Sequence, residues 1–503
     1  MHTVRNKLAN RGRWLQVSRI VAVVSSGFDS LRSRVPWNSR TKSLLCIVVL
    51  ALLPFLVFWR LALFKLNPFV GDILTYYYPL QHLINQQIRS GIVPLWNNRM
   101  FSGMPISAAA GSFYPLNLPL IFLPAWVSTT YSLLSHLSLA GVFMFLYTRA
   151  LGIGRKGAFV AGLIFMFASF SIAHFGHHNI LRTVPWLPLI LWSVERWRQR
   201  FELRYVGVGA LATGLMLLAG HPQVPLYALA VVAAYLLLFF LFPDPSGHRW
   251  KFLAGGIAIV GLGLLIASPL IWDLYQKSQF FQRPIPSEFE YEYFSDFSLP
   301  LAGLTHLLFP RALPQIVNQT EMMGYIGILP LALSIVAAFR WRHRVKGLLL
   351  IVAGLSLVLA LGKYTPLNKL MFHVPIYNSF RAPARNLFEF GFTVAVLAGA
   401  GLHYLVSTRE ALIQRLSRWV WPLVAMLIIL GVAIPVTLAF GFPALVRPLS
   451  PNEGFGTFTS QAIWLPLAMI LASSAVLLLV TRRPKKLYPI IMVCSLIVVD
   501  LYI

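Results

Sequence analysis

Acidic residues are scarce in this chain. There are 15 Asp and Glu against 42 Lys and Arg, and charged residues of either sign make up 11% of it. An ordinary soluble domain carries about 25%. With 57% hydrophobic residues and a mean hydropathy of +0.71, a soluble enzyme is excluded. Cysteine is nearly absent too. Cys46 and Cys494 lie in apolar runs near opposite ends of the sequence. That excludes a disulfide-braced outer loop and a cysteine metal site. No small-residue cleavage site follows the first apolar run, and the 43 residues ahead of it are too many and too basic for a signal peptide. No repeat, low-complexity tract or linker marks a second folded domain.

What is abundant is positive charge, and its placement matters more than its amount. A net charge of +27 raises the question of nucleic acid. The basic residues, however, gather in clusters separated by pairs of apolar runs. The clusters are Arg5 to Lys42, Arg149/Arg155/Lys156, Arg196/Arg198/Arg200/Arg204, Arg249/Lys251, Arg340/Arg342/Arg344/Lys346, Arg409/Arg415/Arg418 and Arg482/Arg483/Lys485/Lys486. Put on one side of a membrane, they hold 29 of the 42 basic residues, while 10 of the 15 acidic residues fall on or near the other side. This is the positive-inside pattern, and it argues for a lipid bilayer and against nucleic acid as partner. Residues 1–43 read as a basic cytoplasmic segment. Trp14 to Val35 either lies on the inner leaflet as an amphipathic helix or is part of a basic tail that enforces topology.

The expected architecture is an all-α polytopic membrane protein over 44–503, with about 13 transmembrane helices of about 20 residues each. The expected spans are 44–64, 126–147, 157–174, 179–194, 205–220, 222–241, 252–272, 324–339, 347–361, 386–404, 420–440, 461–480 and 487–503. Pro185 and Pro188 predict a kink in the fourth. Long outer loops are expected at 65–125 and 273–323, the first carrying interfacial helices, and shorter ones at 175–178, around 221, at 362–385 and at 441–460. The N-terminus is expected inside, in a bacterial cytoplasmic membrane, with the active face outside. A chain that stops on an apolar run is expected to be a piece of a longer one.

The unusual polar residues lie in those outer segments. Asp72 is the single acidic residue of the first loop and precedes Tyr76-Tyr77-Tyr78-Pro79. A lone carboxylate just beyond the first span can serve as a general base. It can equally be the N-cap of an amphipathic helix over Ile73 to Arg89. Trp96 and Asn97, beside turns at Pro94 and Gly103, suit sugar contacts or interfacial anchoring. His174-Phe175-Gly176-His177-His178 places two histidines four apart, a spacing that can serve one metal ion on a helix. Gly176 and the lack of a nearby acid favour contact with a polar ligand through His177 and His178. No metal site is assigned, no cofactor is certain, and a divalent ion stays open. His221 and Gln223 interrupt two apolar runs, which is costly unless they face a cavity. Arg381 and Arg385 flank Pro383 at the start of an expected helix. Arginines at that positive dipole end make sense if a phosphate binds there; the alternative is an Arg385–Glu389 pair on one face. Glu288, Glu290, Glu292 and Asp296 alternate as on a solvated strand or loop edge. Glu321, ahead of Tyr325-Ile326-Gly327, is a further candidate for substrate or metal contact.

Together these residues resemble the bacterial YfhO-type membrane proteins of the GT-C superfamily of glycosyltransferases. The resemblance runs over nearly all of 44–503. It rests on Asp72 with Tyr-Tyr-Pro and Pro-Leu-Trp-Asn after it, on Gly103-Met104-Pro105, Gly220-His221-Pro222-Gln223 and Tyr325-Ile326-Gly327, and on Phe380-Arg381-Ala382-Pro383-Ala384-Arg385. It implies transfer of a sugar from a polyprenyl-phosphate carrier to an extracytoplasmic acceptor, with Asp72 as the base. On that reading Arg381 and Arg385 bind the donor phosphate. Tyr77, Trp96, Asn97, His177, His178, His221, Gln223 and Glu321 contact sugar or acceptor. The rival is a transporter or flippase of a lipid-linked or anionic solute. It is disfavoured because the polar motifs all face one side and no two related halves are visible. A third reading is a non-catalytic envelope scaffold.

Overall fold

The computed structural model describes residues 38–63, 72–100, 102–106, 111, 114–244, 247–278, 288–310, 318, 320–407, 422, 425, 426, 429, 461–483 and 486–502. The basic tail before residue 38, the Arg409/Arg415/Arg418 cluster, most of the span expected at 420–440 and the outer segment 441–460 lie outside the described residues. The chain divides into two units, Met1–Val49 and Leu50–Ile503. In the first, the described part is the opening of helix α1, Ser39–Val57. Asn38 caps it: its Oδ1 accepts from the Thr41 amide at 2.9 Å and from the Thr41 hydroxyl at 3.1 Å.

The second unit continues with α2 (Trp59–Leu63), a π-helical turn (Ile73–Tyr77), α3 (Tyr78–Arg89), strands β1 (Trp96–Asn97) and β2 (Met104–Pro105), α4 (Ala125–Ala150), α5 (Arg155–Phe167), α6 (Ser169–Ala173), α7 (His178–Thr183), α8 (Trp186–Arg200), α9 (Leu203–Leu218) and α10 (Gln223–Leu241). There follow α11 (Arg249–Ile266), α12 (Ser268–Ser278), α13 (Glu288–Ser295), α14 (Ile328–Arg340), α15 (Val345–Ala360), α16 (Pro366–Phe372), α17 (Leu387–Ser407), α18 (Gln461–Arg482) and α19 (Tyr488–Tyr502). Among the described residues seven helical stretches are long and apolar enough to cross a membrane: Ser39–Val57, Ala125–Ala150, Arg155–Gly176, Gln223–Leu241, Arg249–Ile266, Pro383–Ser407 and Trp464–Arg482. Helices α9, α14, α15 and α19 are apolar but shorter.

Several expected elements differ. Span 179–194 is not one kinked helix but two, α7 and α8, parted at Val184-Pro185, because Pro185 has no amide to continue the ladder. Pro188 falls in the first turn of α8, where that loss is harmless. Span 252–272 stops at Ile266 and restarts at Ser268, just ahead of Pro269. The Glu288–Glu292 stretch is helix α13, not a strand or loop edge. Its period is set by rings rather than by the glutamates: Tyr291 and Phe294, three apart, both pack on Phe372 of α16 at 5.5 Å.

Small residues bring the central helices together. A Cβ on Gly157 of α5 would stand 2.2 Å from the Gly399 carbonyl of α17, and one on Gly399 would stand 2.7 Å from the Gly157 carbonyl. Such close crossings are the usual packing device where no water drives helices together. In the first loop the β1–β2 ribbon is antiparallel, with Trp96 opposite Pro105 and Asn97 opposite Met104. Arg89, at the end of α3, binds the Ile121 and Leu123 carbonyls at 2.6 and 2.7 Å and so closes the loop. The buried Glu195 of α8 accepts from Arg198, Gln199 and Tyr235 at 2.6–2.8 Å. Arg198 also pairs with Asp244, as does Arg344. This clamp and the site below lie toward opposite ends of α10.

Candidate functional site

Asp72 sits immediately before the π-helical turn. Its neighbour Ile73 is fully buried against Leu133 and Leu137 of α4 and Leu181 of α7, which fixes the turn while the carboxylate points to the open side, 57% exposed. Asp72 makes no side-chain cap to the turn, so the N-cap alternative does not hold. The expected helix over Ile73 to Arg89 is a π turn running into α3. The Asp72 Oδ2 instead lies 3.6 Å from His177 Nε2.

From His177 a line of polar groups runs inward. The His177 ring is 5.4 Å from that of His174. Buried His174 binds the Phe170 carbonyl through Nδ1 at 2.7 Å and faces Glu321 Oε2 through Nε2 at 3.4 Å. Glu321 is held by a turn in which Asn318 Oδ1 accepts from the Thr320 and Glu321 amides, each at 2.9 Å. Both Glu321 oxygens then accept from Arg385, Nε at 2.8 Å and Nη2 at 2.6 Å. Arg385 Nη1 donates to Gln223 Oε1 at 2.8 Å and lies 3.4 Å from His221 Nε2. Gln223 Nε2 completes the line on the Arg381 carbonyl at 2.6 Å and the Tyr227 hydroxyl at 2.7 Å.

Electrostatics follow from this wiring. Burial alone would raise the Glu321 carboxyl, but hydrogen bonds from His174 and Arg385 and their charges hold it well below the usual carboxylate range. Burial, with nearby His174, lowers His177. Burial, with Arg385 beside it, holds His221 well below the ordinary histidine value. His178 is pushed the same way, by burial first and Arg182 second. The Tyr77 hydroxyl is raised by its burial and by Tyr76 and Asp72.

Against known proteins, no family model and no curated protein matches the chain. Solved structures do, two of which follow. ArnT from Cupriavidus metallidurans in the apo state matches with a TM-score of 0.51 and 14% identity, covering 92% of this chain and 76% of that one. The fold is GT-C-like. An Archaeoglobus fulgidus oligosaccharyltransferase tethered to an acceptor peptide matches with a TM-score of 0.42 and 14% identity, over 92% of this chain and 56% of that one.

Within this GT-C-like frame the remaining candidates separate. His178 does not join His174: the 3-10 turn His174–Gly176 resets the helical phase, and His178 packs edge-on against Tyr77 at 6.0 Å between ring centres. The four-residue metal spacing is therefore not used. His174, His177 and Glu321 instead offer ligand atoms within 4.8 Å of one another, but Arg385 already occupies both Glu321 oxygens, so a divalent ion would share its carboxylate with a guanidinium. The Arg385–Glu389 pair does not form; Arg385 turns to Glu321, and Glu389 Oε2 is buried without a partner among the described residues. Pro383 opens a short 3-10 turn ahead of α17, with Ala382 in the left-handed region at φ 62°. Arg381 lies apart from Glu321, half-exposed, 3.5 Å from Asp296 and over the Tyr293 and Phe297 rings. In the β1–β2 ribbon Trp96 is exposed, and buried Asn97 accepts from the Arg99 amide at 2.9 Å, a turn-forming bond. Neither touches the Asp72 line among the described residues. Sequence reading missed one member of the line, Tyr227, and two buried charges away from it, Asp500 and Arg182. Tyr227 was hidden in an apolar run, four residues after Gln223. Asp500 in the last helix accepts from the Tyr325 hydroxyl at 2.5 Å and the Ile328 amide at 3.0 Å. Arg182 lies inside the apolar run expected as the span 179–194.

Proposed function

We propose that the chain is a membrane glycosyltransferase of the YfhO type. It moves a sugar from a polyprenyl-phosphate carrier to an acceptor outside the cytoplasmic membrane, in a bacterial inner membrane with its N-terminus inside. The observation that carries this reading is the Asp72-to-Arg385 line. An exposed carboxylate stands at one end, and a guanidinium held by Glu321 and Gln223 stands further in. The GT-C-like fold, shared with ArnT, supports it.

The step is a single inverting displacement. Asp72 takes the proton of an acceptor hydroxyl as that oxygen bonds to the anomeric carbon. The bond from that carbon to the carrier phosphate breaks, and the phosphate leaves with the electron pair. His177, 3.6 Å from Asp72, orients the base. Arg385, with Arg381 at the mouth, opposes the charge growing on the phosphate, which favours the transition state over the ground state. His221 and Gln223 hold Arg385, Tyr77 stands near enough to feel its charge, and the exposed Trp96 is the ring left free to meet acceptor. No metal enters the scheme.

The deciding experiment uses purified protein in lipid, a panel of radiolabelled polyprenyl-phosphate sugars and envelope extract as acceptor. Label should move with wild type and not with Asp72→Asn. Full transfer by Asp72→Asn would refute the scheme. Uptake of lipid or solute by vesicles lacking acceptor would favour the transporter instead.

A further inference from the structure

Arg182 is the largest fully buried side chain described in the protein, 2% exposed. It lies on α7, one turn after His178. A buried charge is normally paired, and arginine cannot shed its proton to escape the problem. Yet among the described residues no carboxylate is in ion-pair range of Arg182. Its Nε reaches the Ser132 hydroxyl at 3.3 Å, and its guanidinium lies 5.8 Å from the Tyr114 ring centre. No hydrogen bond from either Nη to a described residue accompanies these. The contrast with Arg385, bound by a carboxylate and an amide, is complete.

A second observation points to the same place. His178 Nε2 is buried and has no hydrogen-bond partner among the described residues. Being four residues before Arg182 on one helix, His178 shares its face. Tyr77 stands against the His178 ring, and the Tyr114 hydroxyl is tied to His136 Nε2 at 2.7 Å. On the guanidinium's other side the chain is a glycine: Gly111 has φ +74°, and a Cβ there would stand 2.8 Å from Arg182 Nη1. A guanidinium fork with donors unused among the described residues and an imidazole with an unused nitrogen are what an oxyanion needs.

We propose that Arg182 and His178 form a binding site for a phosphate group, lying behind Tyr77 and separate from the Glu321–Arg385 pair. It would hold a second phosphate besides the one facing Arg385 in transfer, belonging either to another molecule of the lipid carrier or to free phosphate. The lipid source rests on the glycosyltransferase reading; the anion site itself does not. In its absence Arg182 is an uncompensated buried charge, so the empty protein is strained where the occupied one is not.

The test is ligand-induced thermal stabilisation of the purified full chain in detergent, with polyprenyl phosphate, the neutral polyprenol and inorganic phosphate as separate probes. Wild type should be stabilised by polyprenyl phosphate and not by polyprenol. Arg182→Met should need about tenfold to a hundredfold more of it, the loss expected for a charge-assisted hydrogen bond. Its ligand-free Tm should be no lower than that of wild type. Arg182→Lys, which keeps the charge without the fork, should fall between. Stabilisation by inorganic phosphate alone, lost in Arg182→Met, supports the site and makes free phosphate its ligand. An unchanged shift in Arg182→Met, no shift with any probe, or failure of both variants to fold would overturn the proposal. Asp72→Asn should bind like wild type, so a failed base assignment leaves this comparison standing.

Discussion

Arg385 grips Glu321 through two parallel hydrogen bonds, Nε to Oε2 at 2.8 Å and Nη2 to Oε1 at 2.6 Å, across 64 residues of sequence. Both side chains are mostly buried, 14% and 8% exposed. Removing one partner strands the other as a buried charge, which costs about 3–5 kcal/mol, whereas replacing both by apolar residues of similar volume is often near neutral. Glu321→Ala should therefore lower the Tm of the purified protein sharply. The double variant Glu321→Leu/Arg385→Met should recover most of that loss, and should lack transfer activity. A double variant no more stable than Glu321→Ala would show that the pair does not act as a unit.

Stability should also fall with pH, and in a defined order. His177, His178 and His221 all bind a proton less readily when folded than at the ordinary value of 6.5. The unfolded chain therefore takes up more protons, so their contribution is full above about pH 6.5 and is lost as the pH drops below it. Glu321, held below its ordinary 4.5, acts in the same direction further down: its contribution is present above the unfolded value and disappears as the pH falls toward the folded one. Each group can add up to about 1.4 kcal/mol per pH unit. A Tm profile from pH 8 to 4 should slope downward first near 6.5 and again near 4.5. His221→Gln should flatten the first limb. A profile flat between 7 and 5 would contradict the burial of these imidazoles.

Much of the fold was legible because the bilayer imposes a length on apolar runs, and the long helices fall where the hydropathy put them. Breaks were less legible. Pro185 announced a kink, but whether a helix bends or restarts depends on what packs around the gap. At the site, individual residues stood out because a polar group in an apolar run is conspicuous: Asp72, His221, Gln223, Glu321 and Arg385 were all visible. Their pairing was not. Nothing in sequence spacing links Glu321 to Arg385, and the local rule of four-residue pairs pointed to Glu389. Asp500 and Arg182 were passed over because each lies inside an apolar run, where one charge reads as a boundary error until its surroundings are known.

Asp72→Asn separates chemistry from stability. The carboxylate is 57% exposed, caps nothing and pairs with His177 only at 3.6 Å. An exposed pair of this kind contributes at most about 1 kcal/mol, so the Tm should scarcely move. As a general base, Asp72 should be worth about a hundredfold to ten-thousandfold in transfer rate. His177→Ala, which removes only the group beside the base, should cost less. A loss of activity accompanied by an equal loss of folded protein would count against the catalytic assignment.

Chelation is the next check. Three ligand atoms lie within 4.8 Å, yet Arg385 occupies both oxygens of the carboxylate among them. A divalent ion would have to displace a bidentate guanidinium. Transfer by protein washed with EDTA should match untreated protein, and added Mg2+, Mn2+ or Zn2+ should not raise it. Activity lost to EDTA and restored by one ion would place that ion at His174, His177 and Glu321, with Arg385 released to the substrate.

The last prediction concerns a residue far from the chemistry. Asp500, in α19, accepts from the Tyr325 hydroxyl at 2.5 Å and from the Ile328 amide at 3.0 Å. It thus serves as the N-cap for α14 from outside that helix, whose preceding Gly327 has no side chain to do so. The same segment carries Glu321 four residues before Tyr325, and the Tyr325 carbonyl accepts from the Ser169 amide of α6 at 3.1 Å. Asp500→Ala leaves a buried hydroxyl and amide unpaired, at about 1–3 kcal/mol each at most. It should lower the Tm and loosen the Glu321 turn. Asp500→Asn, which keeps one acceptor, should recover part of the loss. Because Asp500 touches no substrate in the proposed scheme, its loss should raise KM or reduce polyprenyl-phosphate binding through Arg385 while the pH profile of transfer keeps its shape. An Asp500→Ala protein with wild-type Tm would show that Tyr325 and Ile328 find other partners.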